Sequence, residues 1–145
     1  MTPQEKIRAN AELVRRELGQ TSEMDNFGYN AESVAWLDGF IERQRLRAEF
    51  ADETAIERMS QMLGSFIGEC VIACYGGEWK EQEGSWAVDF GGGNAAYPFN
   101  KVRKQFLHGG EDSVQSWFET IPLIFTQQLD AQPPPLKKPW WKFGR

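Results

Sequence analysis

Few side chains in this sequence could carry out chemistry, and their spacing decides what that chemistry would be. There is one histidine, His108, and there are two cysteines, Cys70 and Cys74. Nucleophilic catalysis of the serine or cysteine type needs a base within hydrogen-bond reach of the nucleophile and a third group to orient the base. His108 stands beside Gly109 and Gly110, where an imidazole is expected to cap helix-end carbonyls and meet the helix dipole instead. Cys70 and Cys74 are four apart, a helical spacing that points both side chains outward from one face and would strain a bridge. The further ligands of a structural zinc site are missing, so the pair reads as small, buried free thiols.

Paired carboxylates are the remaining general acid and base. Glu69 interrupts a mostly apolar run between Gly68 and Cys70, where an inward-facing carboxyl would have its pKa raised by desolvation. Asp89 alternates with Trp86, Val88 and Phe90 and is expected on the opposite, solvated face of a strand. A small hydrolase using Glu69 and a second carboxylate is the enzymatic alternative. The preferred reading is structural: Glu69 bonds to a nearby strand, to Lys101 or to Arg103. Gly91, Gly92 and Gly93 are flanked by strand-like residues and lack the Lys-Ser or Lys-Thr of a phosphate loop, so they read as a turn. No cofactor and no metal are expected.

Bases and aromatics interleave twice, at Phe99, Lys101, Arg103, Lys104 and Phe106, and again at Lys137, Lys138, Trp140, Trp141, Lys142 and Phe143. Cations beside stacking rings can hold single-stranded nucleic acid. The candidate binding residues are Trp79, Tyr97, Lys101, Arg103, Lys104, Trp140 and Trp141.

The elements that would position these residues follow from capping and periodicity. Thr2-Pro3-Gln4-Glu5 has the form of a capping box, and Ile7, Ala11, Val14 and Leu18 continue at helical spacing to a stop at Gly19, predicting a helix over 3–18. The polar stretch 20–30 reads as a loop pinned by Phe27 and Tyr29. Asn30 caps a second helix with Val34, Leu37 and Ile41 as its stripe, running to about Glu49; Arg43, Arg45 and Arg47 suit its own C-terminal dipole. Asp52 caps a third helix, from Ile56 through Val71 to Tyr75-Gly76-Gly77. On it Ser60, Gly64 and Gly68 recur every four residues although helical glycine costs about 1 kcal/mol, so something approaches that face closely, either a packed element or a ligand, with packing preferred.

After Gly77 the period changes to two, predicting strands over 78–82, 85–90 and 95–97, an antiparallel meander with one aromatic face covered by the third helix. Pro98 is expected to end the last strand or mark an edge. A short helix follows over 100–107, then a last helix capped by Asp112 and broken or kinked at Pro122, with 123–129 as a further helical segment. The chain is expected to divide into an α+β domain over 1–130 and a Pro-rich basic tail over 131–145. The tail is expected either to fold back on the body or to stand as an exposed recognition segment.

Twenty-one acids against sixteen bases give a formal charge of −5. The tail holds Lys137, Lys138, Lys142 and Arg145 and no acid, leaving twelve bases against twenty-one acids over 1–130. A body of that sign repels phosphate backbones and argues against nucleic acid, while favouring cationic partners or plain solubility. No stretch approaches the roughly 20 apolar residues of a membrane helix, and Met1 to Asn10 lacks the apolar run of a secretory signal. A cytoplasmic location is expected, with the thiols reduced.

At Leu63-Gly64-Ser65-Phe66-Ile67-Gly68-Glu69, Tyr75-Gly76-Gly77-Glu78-Trp79 and Tyr97-Pro98-Phe99-Asn100-Lys101-Val102, the chain resembles uncharacterised bacterial domains of unknown function. In these a helix ending in Gly-Glu precedes a Gly-Gly-x-Trp strand. The resemblance implies a bacterial protein, and small acidic domains of this look include toxin-immunity proteins, which act by binding. The expectation is a non-enzymatic protein-interaction domain with a cationic protein partner, a homodimer remaining open.

Overall fold

The computed structural model describes residues 1–130, with side chains as far as Leu123. These residues form an α+β fold of five α-helices and one three-stranded antiparallel sheet. The tail residues, Trp140 and Trp141 among them, lie outside the described residues.

Helix α1 spans Pro3–Ser22, opened by a reciprocal capping box between Thr2 and Glu5. It runs past Gly19, an interior glycine that costs the helix a little without stopping it, and ends at Glu23, which adopts φ +61°. Ile7, Ala11 and Val14 are its buried face. The following loop is fastened by Phe27, stacked on Phe66 at 5.2 Å, and by Tyr29, 5.3 Å from the same ring.

Helix α2 spans Ala31–Gln44, with the Asn30 side chain accepting from the Ser33 N–H. It stops short of the expected Glu49 because the chain must turn to bury Phe50, whose ring lies 5.1 Å from that of Phe106. Residues 48–51 make a 3₁₀ turn there. Helix α3, Glu53–Tyr75, is capped by Asp52 and carries ten buried residues, Ser60 and Phe66 through Gly68 among them. It is the central helix.

Strands β1 (Glu78–Gln82), β2 (Ser85–Gly91) and β3 (Asn94–Ala96) pair in chain order. Glu83 and Gly84 both take positive φ in the first turn, the geometry whose twist matches a two-residue hairpin. The register sets Trp79 opposite Val88 and Val88 opposite Ala96, so these buried residues form the face turned to the helices. Helix α4, Pro98–His108, starts at Pro98 itself, since a proline in the first turn gives up an N–H that has no partner anyway. Residues 109–112 form a second 3₁₀ turn, and α5 spans Val114–Asp130. Pro122 sits inside α5 and does not break it.

The recurrent small residues of α3 are explained by what lies against them. A Cβ on Gly64 would fall 2.8 Å from the Phe99 Cα, and one on Gly68 would fall 2.1 Å from the Trp79 indole. The close approach belongs to α4 at one glycine and to β1 at the other. Packing therefore occupies this face, and it fixes where Phe99 and Trp79 stand.

Candidate functional site

Glu69 is half-buried, and its Oε2 accepts a hydrogen bond of 2.8 Å from Trp79 Nε1. Neither Lys101 nor Arg103 is its partner: Lys101 Nζ lies 3.3 Å from Asp112, and Arg103 lies loosely beside Glu53 and Glu57, at 3.6 and 3.7 Å. The donor is an uncharged indole N–H, and it comes from the strand that α3 packs against. Lys104 is exposed on α4.

Asp89 departs from the solvated expectation. Its side chain is 15% exposed, lies 3.6 Å from Lys80, and accepts from Gln82 Nε2 at 3.1 Å, while Gln82 Oε1 accepts from the Tyr97 hydroxyl at 3.1 Å. Neighbours on the adjacent strand supply both partners, Lys80 and Gln82, which is why a strand carboxylate expected in water is instead enclosed. Asp89 and Tyr97 are thus joined in one polar chain. Glu69 meets the sheet through Trp79 on the helix side, so the two candidate carboxylates face opposite sides of the sheet.

His108 does not cap carbonyls. Its Nδ1 is 2.8 Å from Asp112 Oδ2, and this bond, with Lys101 beside it, holds the Asp112 carboxyl below its usual range. The carbonyls of Phe106 and Leu107 at the end of α4 accept instead from Arg45, at 3.2 and 3.4 Å. Arginine wins the position because a guanidinium offers several donors in a fixed fork and is always charged. Arg45 therefore serves another helix than its own, and Arg43 lies over the Trp36 ring, 5.7 Å from its centroid.

The cysteines are both free but unlike one another. Cys70 is buried, and desolvation pushes its thiol well above the ordinary value, as it does the Tyr29 hydroxyl, which also donates to Glu12 at 3.0 Å. Cys74 is exposed, correcting the expectation of two buried thiols. It lies at the end of α3 where the helix leaves the core, and partial burial and the Glu32 carboxylate still raise its pKa.

The deepest polar interior was not foreseen. Gln105 is fully buried; its Nε2 donates to Asp38 Oδ1 at 3.2 Å and to Glu42 Oε2 at 2.7 Å, and its Oε1 accepts from the Val114 N–H at 2.9 Å. Asp38 also accepts from the Ser113 hydroxyl and from the Gln115 N–H at 3.0 Å. Ser113 itself accepts from the Ser116 N–H, so α5 is capped by Ser113 and Asp38, while the expected cap, Asp112, is drawn to His108. This assembly ties α2, α4 and α5 together.

A cleft of about 430 Å³ opens where the start of α1, the first half of α3, the tip of the β1–β2 hairpin and the start of α4 meet. Lys6 and Asn10 stand on one side, Asn100 and Arg103 on another, and Trp86 and Phe99 supply rings; Glu57 and Gln61 complete the wall. Among the described residues, Arg103 is the one candidate binding residue that lines it, and Glu69 and Asp89 are not among its walls. Lys6, Asn10 and Trp86 carry no sequence signal for a site, because their elements are far apart in the chain. Among the described residues, no three His, Cys, Asp or Glu side chains converge in a metal-like group, and no helix is long and apolar enough to cross a membrane.

No protein-family model, curated protein or solved structure matches this chain.

Proposed function

We infer that the chain is a non-enzymatic protein-interaction domain whose acidic surface takes a cationic protein partner. The observation that carries this reading is the charge between α1 and α2. From residue 17 to residue 42 the chain holds Glu17, Glu23, Asp25, Glu32, Asp38 and Glu42 and no Lys, Arg or His. Asp38 and Glu42 turn inward to Gln105, whereas Glu17, Glu23, Asp25 and Glu32 are exposed. A run of exposed charge of one sign steers an oppositely charged protein and selects against others. The reactive groups lend support by their engagements: His108 is tied to Asp112, Cys70 is buried, and Glu69 is bonded to Trp79.

The test compares affinity capture from an extract of the source organism by the natural chain and by a variant carrying Glu17→Gln, Glu23→Gln, Asp25→Asn and Glu32→Gln. The expected result is one basic protein held stoichiometrically at low salt, released by added salt and lost by the variant. Equal capture by both chains, or no stoichiometric partner, would overturn the reading.

A further inference from the structure

We propose that the cleft between α1, α3, α4 and the hairpin tip binds a small molecule that joins an aromatic ring to an anionic group. This site has a different chemistry from the acidic surface and stands independently of it. Its volume of about 430 Å³ falls within the roughly 300–1,000 Å³ of small-molecule sites. Small-molecule sites pair apolar or aromatic walls with a few convergent polar groups, and this cleft has that make-up.

The polar groups are predominantly donors. Lys6 and Arg103 bring two cations to the wall, with Glu57 on the wall and Glu53 beside Arg103 as the carboxylates near them. The guanidinium of Arg103 is close to Glu53 and Glu57 only at 3.6 and 3.7 Å, beyond the length of a good charge-assisted hydrogen bond. Those two carboxylates are 77% and 58% exposed, and exposed pairs of this kind contribute little, so the guanidinium fork remains available to an anion. Asn10 and Asn100 add amides that can turn either a donor or an acceptor to a ligand. Trp86 and Phe99 are both partly exposed at the same wall. An indole presents a large rigid face and a donor N–H at low entropic cost, and a ring beside a guanidinium is a common seat for a planar ligand.

The site is also held in place. The Phe99 backbone is seated against Gly64, and its ring lies 5.5 Å from that of Trp79, so one wall is fixed by the α3–α4 contact. Trp86 is positioned by the hairpin register, opposite Glu81. A preorganised wall keeps more of its interaction energy as affinity.

The test titrates phenyl phosphate, benzoate, benzylammonium and inorganic phosphate into the nitrogen-15-labelled full chain and follows the indole and side-chain amide resonances. Phenyl phosphate or benzoate is expected to move the signals of Trp86, Asn10 and Asn100 with a single shared dissociation constant, the tighter of the two identifying the anion. Arg103→Met should weaken that binding about tenfold or more, the loss that follows removal of a charge-assisted contact, and Arg58→Met, on the outer face of α3, should leave it unchanged. The backbone spectrum of each variant reports whether it folds, and the probe series in the natural chain is decisive without any variant. Benzylammonium binding as tightly as the anions, inorganic phosphate matching phenyl phosphate, or shifts centred away from Trp86 would each overturn the proposal.

Discussion

The contact between Gly68 and Trp79 makes a substitution that ordinarily strengthens a helix do the reverse. Replacing an interior helical glycine by alanine gains about 1 kcal/mol of propensity. At Gly68 the new methyl carbon would lie 2.1 and 2.2 Å from two carbons of the Trp79 indole. Either the ring leaves its pocket, where it is 5% exposed, or α3 and β1 move apart, at a cost of roughly 1–3 kcal/mol for forced overpacking. The Trp79 to Glu69 hydrogen bond would be stretched as well, worth about 1.5 kcal/mol for a charged acceptor. The expected net loss for Gly68→Ala is about 2.5 kcal/mol, a fall in Tm of roughly 8 °C for a chain of this length. Gly19→Ala is the matched control, because its Cβ would meet only Phe27 at an ordinary 3.8 Å; it should gain up to about 1 kcal/mol and raise Tm. Thermal unfolding followed by far-ultraviolet dichroism and tryptophan emission measures both. A double-mutant cycle with Trp79→Leu should show strong coupling to Gly68→Ala, since trimming the ring removes the clash. A Gly68→Ala protein melting at or above the natural chain would refute the close-approach account of the small-residue face.

Gln105→Leu should cost about 3 kcal/mol by leaving the Val114 N–H without an acceptor and taking from Asp38 Oδ1 and Glu42 Oε2 the amide that donates to both, measured by chemical denaturation. Gln105→Glu keeps the shape but sets a third carboxylate against Asp38 and Glu42; like charge raises its folded-state pKa, so this variant should be least stable at neutral pH and recover as the pH falls. For Asp112 the sign is opposite: its folded pKa lies below the ordinary 3.8, so its contribution is present above that value and lost as the pH falls through the folded one. Asp112→Asn should therefore lower Tm at neutral pH, with the difference closing in acid; a gap that persists there would count against the His108–Asp112 bond as its source. A thiol-specific disulfide reagent should modify Cys74 alone in the native protein, faster as the pH rises, and reach Cys70 only in guanidinium chloride; two native thiols reacting at equal rates would contradict the burial of Cys70.

How much could be read from the sequence follows the range of each interaction. The caps at Thr2, Asn30 and Asp52, the glycine-bearing central helix and the period-two hairpin were legible because each is set by residues within a few positions of one another. The end of α2 was not, since it depends on Phe50 meeting Phe106. Arg45 looked like a local dipole partner, and its real carbonyls lie 61 and 62 residues away. Asp112 looked like a cap, and Asp38, 77 residues before Gln115, shares that work with Ser113. At the candidate site, Arg103 was legible as an unusual base beside aromatics, whereas Lys6, Asn10 and Trp86 join it only through folding. The enclosure of Asp89 is not legible, because alternation tells which face a strand residue takes and says nothing of the neighbours waiting on that face.

The tie from Asp38 to the start of α5 also bears on the order in which the molecule assembles. The Gln115 amide in the first turn of α5 borrows its acceptor from a helix 77 residues earlier, so that bond forms only once α2 has docked. A fragment beginning after α3 would lack that acceptor, and its α5 amides should exchange with solvent far faster than in the intact chain.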